Sequence, residues 1–551
     1  MGMMKVNNRI SKTKQTLINL KKIYKLLFGY KKELVSITIC MLFSFAVSFS
    51  LPILSRKLVD DGLMKKDFNM LLIICGIMLF LHVFSFFLSY FKEKTRLKIY
   101  TSIKYGLEKK AFYHLMKIKM DYFRDVNPVS IYNTINEDIG NISSVANNQT
   151  FEVMNMFLSA VGGAISLCMM EWRLFIFILV FIPVNGLISY GMIKKNIPVM
   201  DMFFNKNREF SDWYGDSVNG MTEIRLFGLQ KNKEENITVK TSELKGLEEK
   251  FGIFQEKNML MQALLMNLFS LSIYLLSGII MLRNDLSIGQ IIAFESYSLM
   301  ITQPIIQAYD SLFGISRIIP SVERFFSFID YSEEESDGIK EIPCGNIRFD
   351  NVSFSYTENN ELFDNFNFEI EKGSKVAIIG NNGSGKTTLL NLMLRILTPE
   401  KGTVRLAGND IETYNVFSYR EQFGVVSQNV YLFNSTIIEN ILLFRDIPKE
   451  RIEYVIELVN LKEVIDEKGP DYSVGNNGCK LSGGQKQKIA LARAIIDPKP
   501  YVILDEATSN LDFETVRIVR NLFDSELKNS TVLCVTHSDD IAGMFTDTIR
   551  L

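Results

Sequence analysis

The sequence predicts an α-helical transmembrane domain of six spans, followed by an α/β domain with a parallel sheet core. The first part of the 551-residue chain contains six apolar runs of about 20 residues, the length that a helix needs to cross a bilayer. From Asn346 onwards, short β-rich runs alternate with helical ones, as they do in α/β domains. A glycine-rich loop at 380–388 lies between an apolar run and a helical segment. These three observations set the order of the two domains.

Each predicted span is an apolar run bounded by polar residues. The runs cover residues 34–54, 70–91, 151–170, 174–193, 259–282 and 288–313. The alternative, buried core helices of a large soluble protein, fits poorly with six such runs in one half of the chain. We therefore assign residues 1–329 to the transmembrane domain, 330–345 to an acidic linker and 346–551 to the second domain.

The distribution of Lys and Arg predicts the orientation. The N-terminal segment and the polar stretches 92–150 and 194–258 are rich in both, whereas the third and fourth spans are joined by three residues only. Under the positive-inside rule the basic stretches are cytoplasmic, although Arg56, Lys57, Lys65 and Lys66 after the first span point the other way. We expect a multi-pass protein of the cell membrane, with both termini and the second domain cytoplasmic and the long stretches forming helical extensions.

Glu295 is an acidic residue within the sixth predicted span. An ionisable side chain at membrane depth is costly and usually faces a cavity or a partner. Two interpretations stay open. The carboxylate lies on a substrate pathway as an acceptor for a cationic or amide group, or it makes a structural contact between helices or at a helix end.

The glycine-rich loop fits the pattern of a phosphate-binding loop. It consists of Gly380, Asn381, Asn382, Gly383, Ser384, Gly385, Lys386, Thr387 and Thr388. Glycines let the backbone approach a polyphosphate, and the N–H groups at the helix start face the anion. Lys386 can reach the terminal phosphates, and the Thr387 hydroxyl can bind Mg²⁺.

Acidic residues follow a second apolar run of the same domain. Asp505 and Glu506 come directly after 501–504, as in the second half of a nucleotide hydrolysis site. Asp505 can hold magnesium through water, and Glu506 is placed to polarise an attacking water. His537 follows the apolar run 531–535 and could hold the γ-phosphate. The domain is therefore predicted to be an α/β P-loop ATPase.

Composition disfavours several other classes. The net charge of −1 gives no electrostatic case for nucleic-acid binding. The six cysteines are scattered without paired spacing, which disfavours a disulfide framework or a zinc site. Three histidines in the whole chain make a histidine metal cluster improbable.

With these motifs in order, the sequence resembles an ATP-binding cassette (ABC) transporter of the exporter type, over nearly the whole chain. More narrowly, it resembles a half-transporter with one membrane domain fused before one nucleotide-binding domain. The specific element is Leu481-Ser482-Gly483-Gly484-Gln485, which matches the family's signature sequence. The resemblance implies roles for the remaining positions. Tyr356 matches the position that stacks on adenine, Gln428 a magnesium ligand, Ser482 to Gln485 the element that closes over ATP of the other subunit, Asp505 and Glu506 the Walker B aspartate and catalytic glutamate, Asp512 the loop across the dimer interface, and His537 the switch histidine.

The resemblance also implies cofactors, partners and activity. ATP and Mg²⁺ are the expected cofactors. Because each composite site needs a second subunit, the partner is a second copy of the chain, with a heterodimer as the alternative. The implied function is ATP-driven export of an amphipathic peptide, drug or lipid across the cytoplasmic membrane by alternating access. The alternatives are a lipid flippase of the same family, a soluble-type regulatory ABC ATPase and a non-transporting member. Coupling elements are implied near 121–131 and 211–221.

The sequence departs from the family pattern at three places. Asn476 stands where the family often has a glutamate, and Ser130 where a glycine is common in the first coupling segment. The chain ends at Leu551, so we expect a C-terminally short nucleotide-binding domain. The predicted ATP-site residues all precede that end.

Overall fold

The computed structural model describes residues 25–123, 128–144, 149–282, 286–356, 361–505, 513–536 and 545–551. The chain divides into two compact units. The first contains residues Met1–Tyr113 and Val129–Asp330, and the second contains His114–Pro128 and Tyr331–Leu551. A short segment from the first long polar stretch is thus grouped with the C-terminal half of the chain.

The first unit is helical. Its described helices are α1 (Lys31–Lys57), α2 (Phe68–Leu115, whose last two residues belong to the second unit), α3 (Pro128–Ser143, whose first residue does), α4 (Gln149–Met170), α5 (Trp172–Asn219), α6 (Met221–Leu226), α7 (Gln230–Met281) and α8 (Ile288–Ile329). A 3₁₀ turn, Phe28–Tyr30, precedes α1, and a π-helical turn, Leu58–Leu63, follows it. Helices α2, α5 and α7 have 48, 48 and 52 residues. At about 1.5 Å per residue they are more than twice as long as a bilayer core is thick, so the helical extensions continue directly from the spans.

Four of the described helices are long and apolar enough to cross a membrane. They are Lys25–Leu63, Phe68–Leu115, Trp172–Asn219 and Gln230–Met281, and a shorter apolar helix covers Met154–Met170. The third predicted span lies in α4 and the sixth in α8. The count of six is compatible with these helices and stays a prediction.

Small residues let the helices of this unit pack closely. Helix α4 lies along α8. A Cβ atom on Gly162 would lie 2.4 Å from the Phe45 ring, and one on Gly163 would lie 3.0 Å from the Tyr297 carbonyl oxygen. Such close approach is typical of membrane helices, where packing rather than water exclusion holds helices together. Large apolar side chains point outwards, for example Phe86 of α2 at 67% exposure, as expected of a lipid-facing surface.

The second unit contains two sheets. Its strands are β1 (Ile347–Ser355), β2 (Glu361–Ile370), β3 (Lys375–Ile379), β4 (Lys401–Leu406), β5 (Asn409–Asp410), β6 (Phe423–Val426), β7 (Tyr501–Asp505), β8 (Thr531–Val535) and β9 (Asp547–Arg550). One sheet has the order β2-β1-β4-β5 with antiparallel pairs, and the other has the order β6-β7-β8-β3-β9 with parallel pairs. This confirms the predicted parallel sheet core. Strands β7 and β8 are buried along their whole length, because helices cover both faces of parallel sheets.

The described helices of the second unit surround these sheets. They are α9 (Lys386–Met393), α10 (Val416–Arg420), α11 (Ile437–Leu442), α12 (Lys449–Leu458), α13 (Lys462–Lys468), α14 (Gly483–Ile495) and α15 (Phe513–Asp524). One apolar cluster packs α9 between the two sheets, with Leu389, Leu392 and Met393 almost fully buried. This packing fixes the helix that begins at the end of the phosphate loop.

Candidate nucleotide-binding site

The phosphate loop and Asp505 lie at one edge of the parallel sheet. Strands β3, β8 and β7 are neighbours, and their register aligns Ile378 with Val535 and Val535 with Asp505. With about 4.8 Å between strands, Asp505 lies roughly 10 Å from the end of β3. The carboxyl edge of a parallel sheet is where ligands bind in open α/β folds.

The loop after β3 needs its glycines for backbone conformation and for space. Gly383 and Gly385 have φ angles of 83° and 97°, in the left-handed region that favours glycine. A Cβ atom on Gly385 would also lie 2.8 Å from the Phe363 ring. The loop is therefore shaped by β2 as well as by its own sequence, and it ends in the first turn of α9.

Lys386 is held inside this loop. The side chain is buried, and its ammonium donates to the carbonyl oxygens of Gly380 at 2.7 Å and Asn381 at 2.9 Å. These two bonds curl the loop around the ammonium, which has three donors in all. The buried hydroxyl of Ser384 has no hydrogen-bond partner among the described residues. A buried donor of this kind fits an anion at the loop, because a phosphate oxygen would satisfy it.

Tyr356 follows β1 and is anchored to the phosphate-loop helix. Its hydroxyl lies 2.9 Å from the hydroxyl of Thr388 in α9. The ring packs edge-on against Phe354 and is 37% exposed. An accessible ring face beside the loop suits stacking on a purine. The sequence pointed to both residues, but it gave no sign that Thr388 orients Tyr356.

The remaining predicted residues follow neighbouring strands. Asp505 ends β7 and is buried. Gln428 is exposed two residues after β6, the strand that pairs with β7 on its other side. Glu506, Asp512 and His537 lie outside the described residues.

The signature segment forms the start of α14. Ser482 is its N-cap, and Ser482 and Gln485 form a reciprocal capping box, with bonds of 3.0 and 3.2 Å. Gly483 and Gly484 occupy the first two helical positions, and a Cβ atom on either would meet no atom of the described residues within 4 Å. The packing of this chain therefore does not require glycine at these positions. Because glycine has no side chain, Gly483 and Gly484 leave the N-terminal end of α14 accessible to an outside ligand.

Two further residues organise the region around the signature and were not singled out from sequence. Asn477 contacts α14, because its carbonyl oxygen accepts from the Lys486 ammonium at 2.7 Å. Arg493 of α14 donates to the Tyr431 carbonyl and the Asn440 side chain, both at 2.7 Å. Burial lowers the pKa of Arg493 to about 10. Neither pairing has a local sequence signal, since the partners are separated by nine or more residues.

Glu295 lies in α8 and accepts a hydrogen bond from the Tyr274 hydroxyl of α7. Glu295 comes seven residues after the start of α8, and Tyr274 comes seven residues before the end of α7. Both therefore lie roughly 10 Å along their helices from the connecting turn. The hydrogen bond between Tyr274 and Glu295 is thus a contact between α7 and α8, and both side chains retain exposed surface.

Comparison with known proteins extends these observations. Residues 34–305 match the family model described as "ABC transporter transmembrane region", and residues 363–509 match the one described as "ABC transporter". The chain is 26% identical to an ATP-dependent lipid A-core flippase of Sodalis glossinidius, covering 94% of this chain and 90% of the relative. It is also 26% identical to a putative multidrug export ATP-binding/permease protein, YgaD, of Bacillus subtilis, covering 94% and 93%.

The fold has a close counterpart among solved structures. A bacterial Atm1-family ABC exporter with ATP bound superimposes with a TM-score of 0.83 at 20% identity. The match covers 95% of this chain and 93% of that one. The agreement extends over both units.

Proposed function

This chain belongs to the ABC transporters of the exporter type, whose ATP hydrolysis is coupled to transport, and from that premise we propose that it exports an amphipathic substrate across the cytoplasmic membrane by alternating access. The substrate would be a peptide, a drug or a lipid. The observation that carries the proposal is the phosphate loop and Asp505 at one sheet edge, in the same chain as helices long enough to span a membrane. Similarity to a lipid A-core flippase and to a putative multidrug exporter supports this range of cargo.

We propose that ATP is held by the phosphate loop from Gly380 to Thr388, with Tyr356 stacked on the adenine. Lys386 would neutralise the terminal phosphates. Mg²⁺ would be held by Thr387, Gln428 and Asp505, which offer hydroxyl, amide and carboxylate oxygens, the donors that this hard cation prefers. When bound, the metal would offset the charge of the β- and γ-phosphates. Glu506 would orient the attacking water, and His537 would contact the γ-phosphate.

We propose that each ATP site is shared between two copies of the chain. The first turn of α14, from Ser482 to Gln485, would close over ATP bound to the partner copy, and Asp512 would lie in the loop across the interface. The open space around Gly483 and Gly484 supports this, because the chain's own packing does not use it. A homodimer follows from the complete set of ATP motifs in one chain, and a heterodimer is the alternative. Both termini and the ATPase domain would lie in the cytoplasm.

We propose that Glu295 lies on the substrate pathway and accepts a hydrogen bond from a cationic or amide group of the cargo. A carboxylate within the membrane is costly unless it is paired. The Tyr274 hydroxyl occupies only part of its capacity, since a carboxylate can accept about four hydrogen bonds. The alternative is a purely structural contact between α7 and α8.

Reconstitution tests the proposal. Purified chain in proteoliposomes should hydrolyse ATP, and it should move a fluorescent phospholipid or a lipophilic dye across the membrane only with ATP and Mg²⁺. Glu506→Gln should bind ATP but neither hydrolyse it nor transport. Wild-type hydrolysis without movement of any probe in a panel of lipids, dyes and peptides would favour a non-transporting member. Transport retained by Glu506→Gln would remove the hydrolytic role of that residue.

A further inference from the structure

The segment between the two predicted domains is paired with a cytoplasmic loop instead of running free. We call residues 331–336 the linker strap and residues 114–123 the loop tip. The backbone N–H of Lys119 donates to the Ser332 carbonyl at 3.2 Å, and that of Glu334 donates to the Lys117 carbonyl at 2.7 Å. Ile118 and Glu333 thus form an antiparallel bridge. Composition predicts only an acidic linker here, because a two-stranded bridge between residues more than 200 apart leaves no local pattern.

Side chains reinforce this backbone pairing. His114, buried at the end of α2, has its Nδ1 atom 2.8 Å from a carboxylate oxygen of Glu333. The rings of Tyr122 and Tyr331 meet edge to face with centroids 5.2 Å apart. The loop tip is therefore attached to the linker strap at both ends as well as through the bridge.

The linker strap is in turn fastened to the ATPase core by Glu334. Its two carboxylate oxygens accept a forked pair of bonds from Arg420, each 2.8 Å long. The two side chains are 13% and 28% exposed, so solvent screens this ion pair less than a surface pair. A fork of this kind fixes direction as well as distance.

Arg420 also holds the far end of the phosphate-loop helix. Its guanidinium donates to the carbonyl oxygens of Leu394 at 3.0 Å and Arg395 at 2.7 Å, just after α9 ends. Helix α9 begins at Lys386, so one short helix meets the nucleotide at its N-terminus and Arg420 at its C-terminus. A cation at a helix C-terminus also complements the helix dipole.

We propose that Glu334 and Arg420 are positioning residues that transmit nucleotide binding from the phosphate loop to the loop tip. The connection runs from Lys386 through α9 to Arg420, from Arg420 to Glu334, and from the linker strap to the loop tip. A cavity of 370 Å³ lined by Asp121, Glu334 and Arg395 gives the linker strap room to shift. Because α2 ends in the loop tip, a shift there acts on a membrane-spanning helix. This inference rests on the proposed function, and its test separates the two.

Hydrogen exchange of the full-length protein in lipid nanodiscs tests the connection. Exchange in peptides covering residues 114–123 is measured with and without the non-hydrolysable analogue AMP-PNP and Mg²⁺. In the wild type, nucleotide should slow exchange of the loop tip. Glu334→Gln and Arg420→Lys should bind the analogue with a Kd within about twofold of the wild type, yet lose the nucleotide-dependent protection by about fivefold or more. Glu335→Gln, which removes the same charge from the next residue of the linker strap, should respond like the wild type.

A merely structural role gives a different pattern. It would raise exchange of the loop tip equally with and without nucleotide, leaving the difference unchanged in both variants, and that result would overturn the inference. A wild-type protein that binds AMP-PNP with no change of exchange in the loop tip would overturn it as well, whatever the variants do. A wild type that neither binds nor hydrolyses ATP would instead count against the proposed function.

Discussion

The hydroxyl groups of Tyr356 and Thr388 lie 2.9 Å apart and connect the end of β1 to the phosphate-loop helix. Tyr356→Phe keeps the ring but removes this anchor, so the proposed stacking surface should lose orientation without losing area. One neutral hydrogen bond is worth about 1 kcal/mol, which predicts a rise of about fivefold in the KM for ATP with kcat nearly unchanged. ATPase kinetics of the reconstituted protein measure both values.

Thr388→Val is the matched partner of that substitution, since it removes the other hydroxyl and keeps the shape. Because both variants break the same hydrogen bond, the rise in KM of the double variant should not exceed that of either single variant. Tyr356→Ala should raise KM further than Tyr356→Phe, since the stacking ring is gone. An unchanged KM in Tyr356→Ala would exclude Tyr356 from the adenine site.

Lys386→Ala should abolish ATP hydrolysis and ATP-dependent transport. The substitution removes the cation proposed for the terminal phosphates, and it also releases the carbonyls of Gly380 and Asn381 that now curl around the ammonium. The control is Lys372→Ala, which removes an exposed lysine just before the same strand. Size-exclusion chromatography and circular dichroism should show that both variants remain folded and dimeric. Transport by Lys386→Ala at the wild-type rate would contradict the proposed role of the loop.

The sequence was sufficient for the phosphate loop and for Asp505 because their chemistry is local. A glycine loop between a strand and a helix, and a carboxylate at a strand end, are patterns of adjacent residues. The parallel order of β3, β8 and β7 then brings them to one edge. The domain boundaries and the exact site residues stay predictions, since Glu506, Asp512 and His537 fall outside the described residues.

Sequence reasoning failed where the structure depends on distant pairs. Arg420 and Glu334 are 86 residues apart, and His114 and Glu333 are 219 apart. Each is an ordinary charged or polar residue in its own segment, so neither pattern nor composition singles it out. Tertiary packing alone brings them together. For the same reason, composition marks residues 331–336 only as a linker and does not predict that they bond both to the loop tip and to Arg420.

Gly484→Ala should separate folding from catalysis. A methyl group there would meet no atom of the described residues within 4 Å, and alanine within a helix is more favourable than glycine by about 0.5–1 kcal/mol. The melting temperature should therefore stay the same or rise slightly. If the partner's ATP closes onto this turn, the methyl group would obstruct it, and ATPase activity should fall about tenfold or more, since 1.4 kcal/mol of lost contact suffices.

The control for this variant lies in the middle of the same helix. Lys488→Ala changes a half-buried residue of α14 outside the first turn and should leave the ATPase rate near the wild-type value. Full activity of Gly484→Ala would argue against a site shared through this turn. A loss of activity accompanied by a large drop in melting temperature would point to misfolding instead.

The ion pair of Arg451 and Glu526 predicts how acid affects the second unit. The bond from Arg451 at 2.7 Å, chiefly, lowers the pKa of the Glu526 carboxyl below its usual value of 4.5. A carboxyl whose pKa is lower in the folded state stabilises the fold above its unfolded pKa, and this contribution disappears as the pH falls through the folded pKa. Glu526→Gln should therefore lower the melting temperature at pH 7, and this deficit should shrink as the pH falls below 4.5. Thermal unfolding at several pH values measures this, with Glu453→Gln on the exposed face of α12 as control. An equal deficit at both pH values would mean that the carboxylate charge does not contribute.

Glu295→Gln should alter which cargo is exported while leaving the ATPase machinery intact. Glutamine keeps an oxygen for the Tyr274 hydroxyl but removes the negative charge. A hydrogen bond to a charged group is worth about 1.5–3 kcal/mol, so uptake of a lipophilic cation into inside-out vesicles should fall about tenfold or more. Uptake of a neutral dye of similar size should change little, and so should basal ATP hydrolysis.

Tyr274→Phe, which leaves the charge and removes the internal donor, should retain cation uptake. If Glu295→Gln carried the cation as well as the wild type while Tyr274→Phe lost stability, the carboxylate would be a structural contact between α7 and α8.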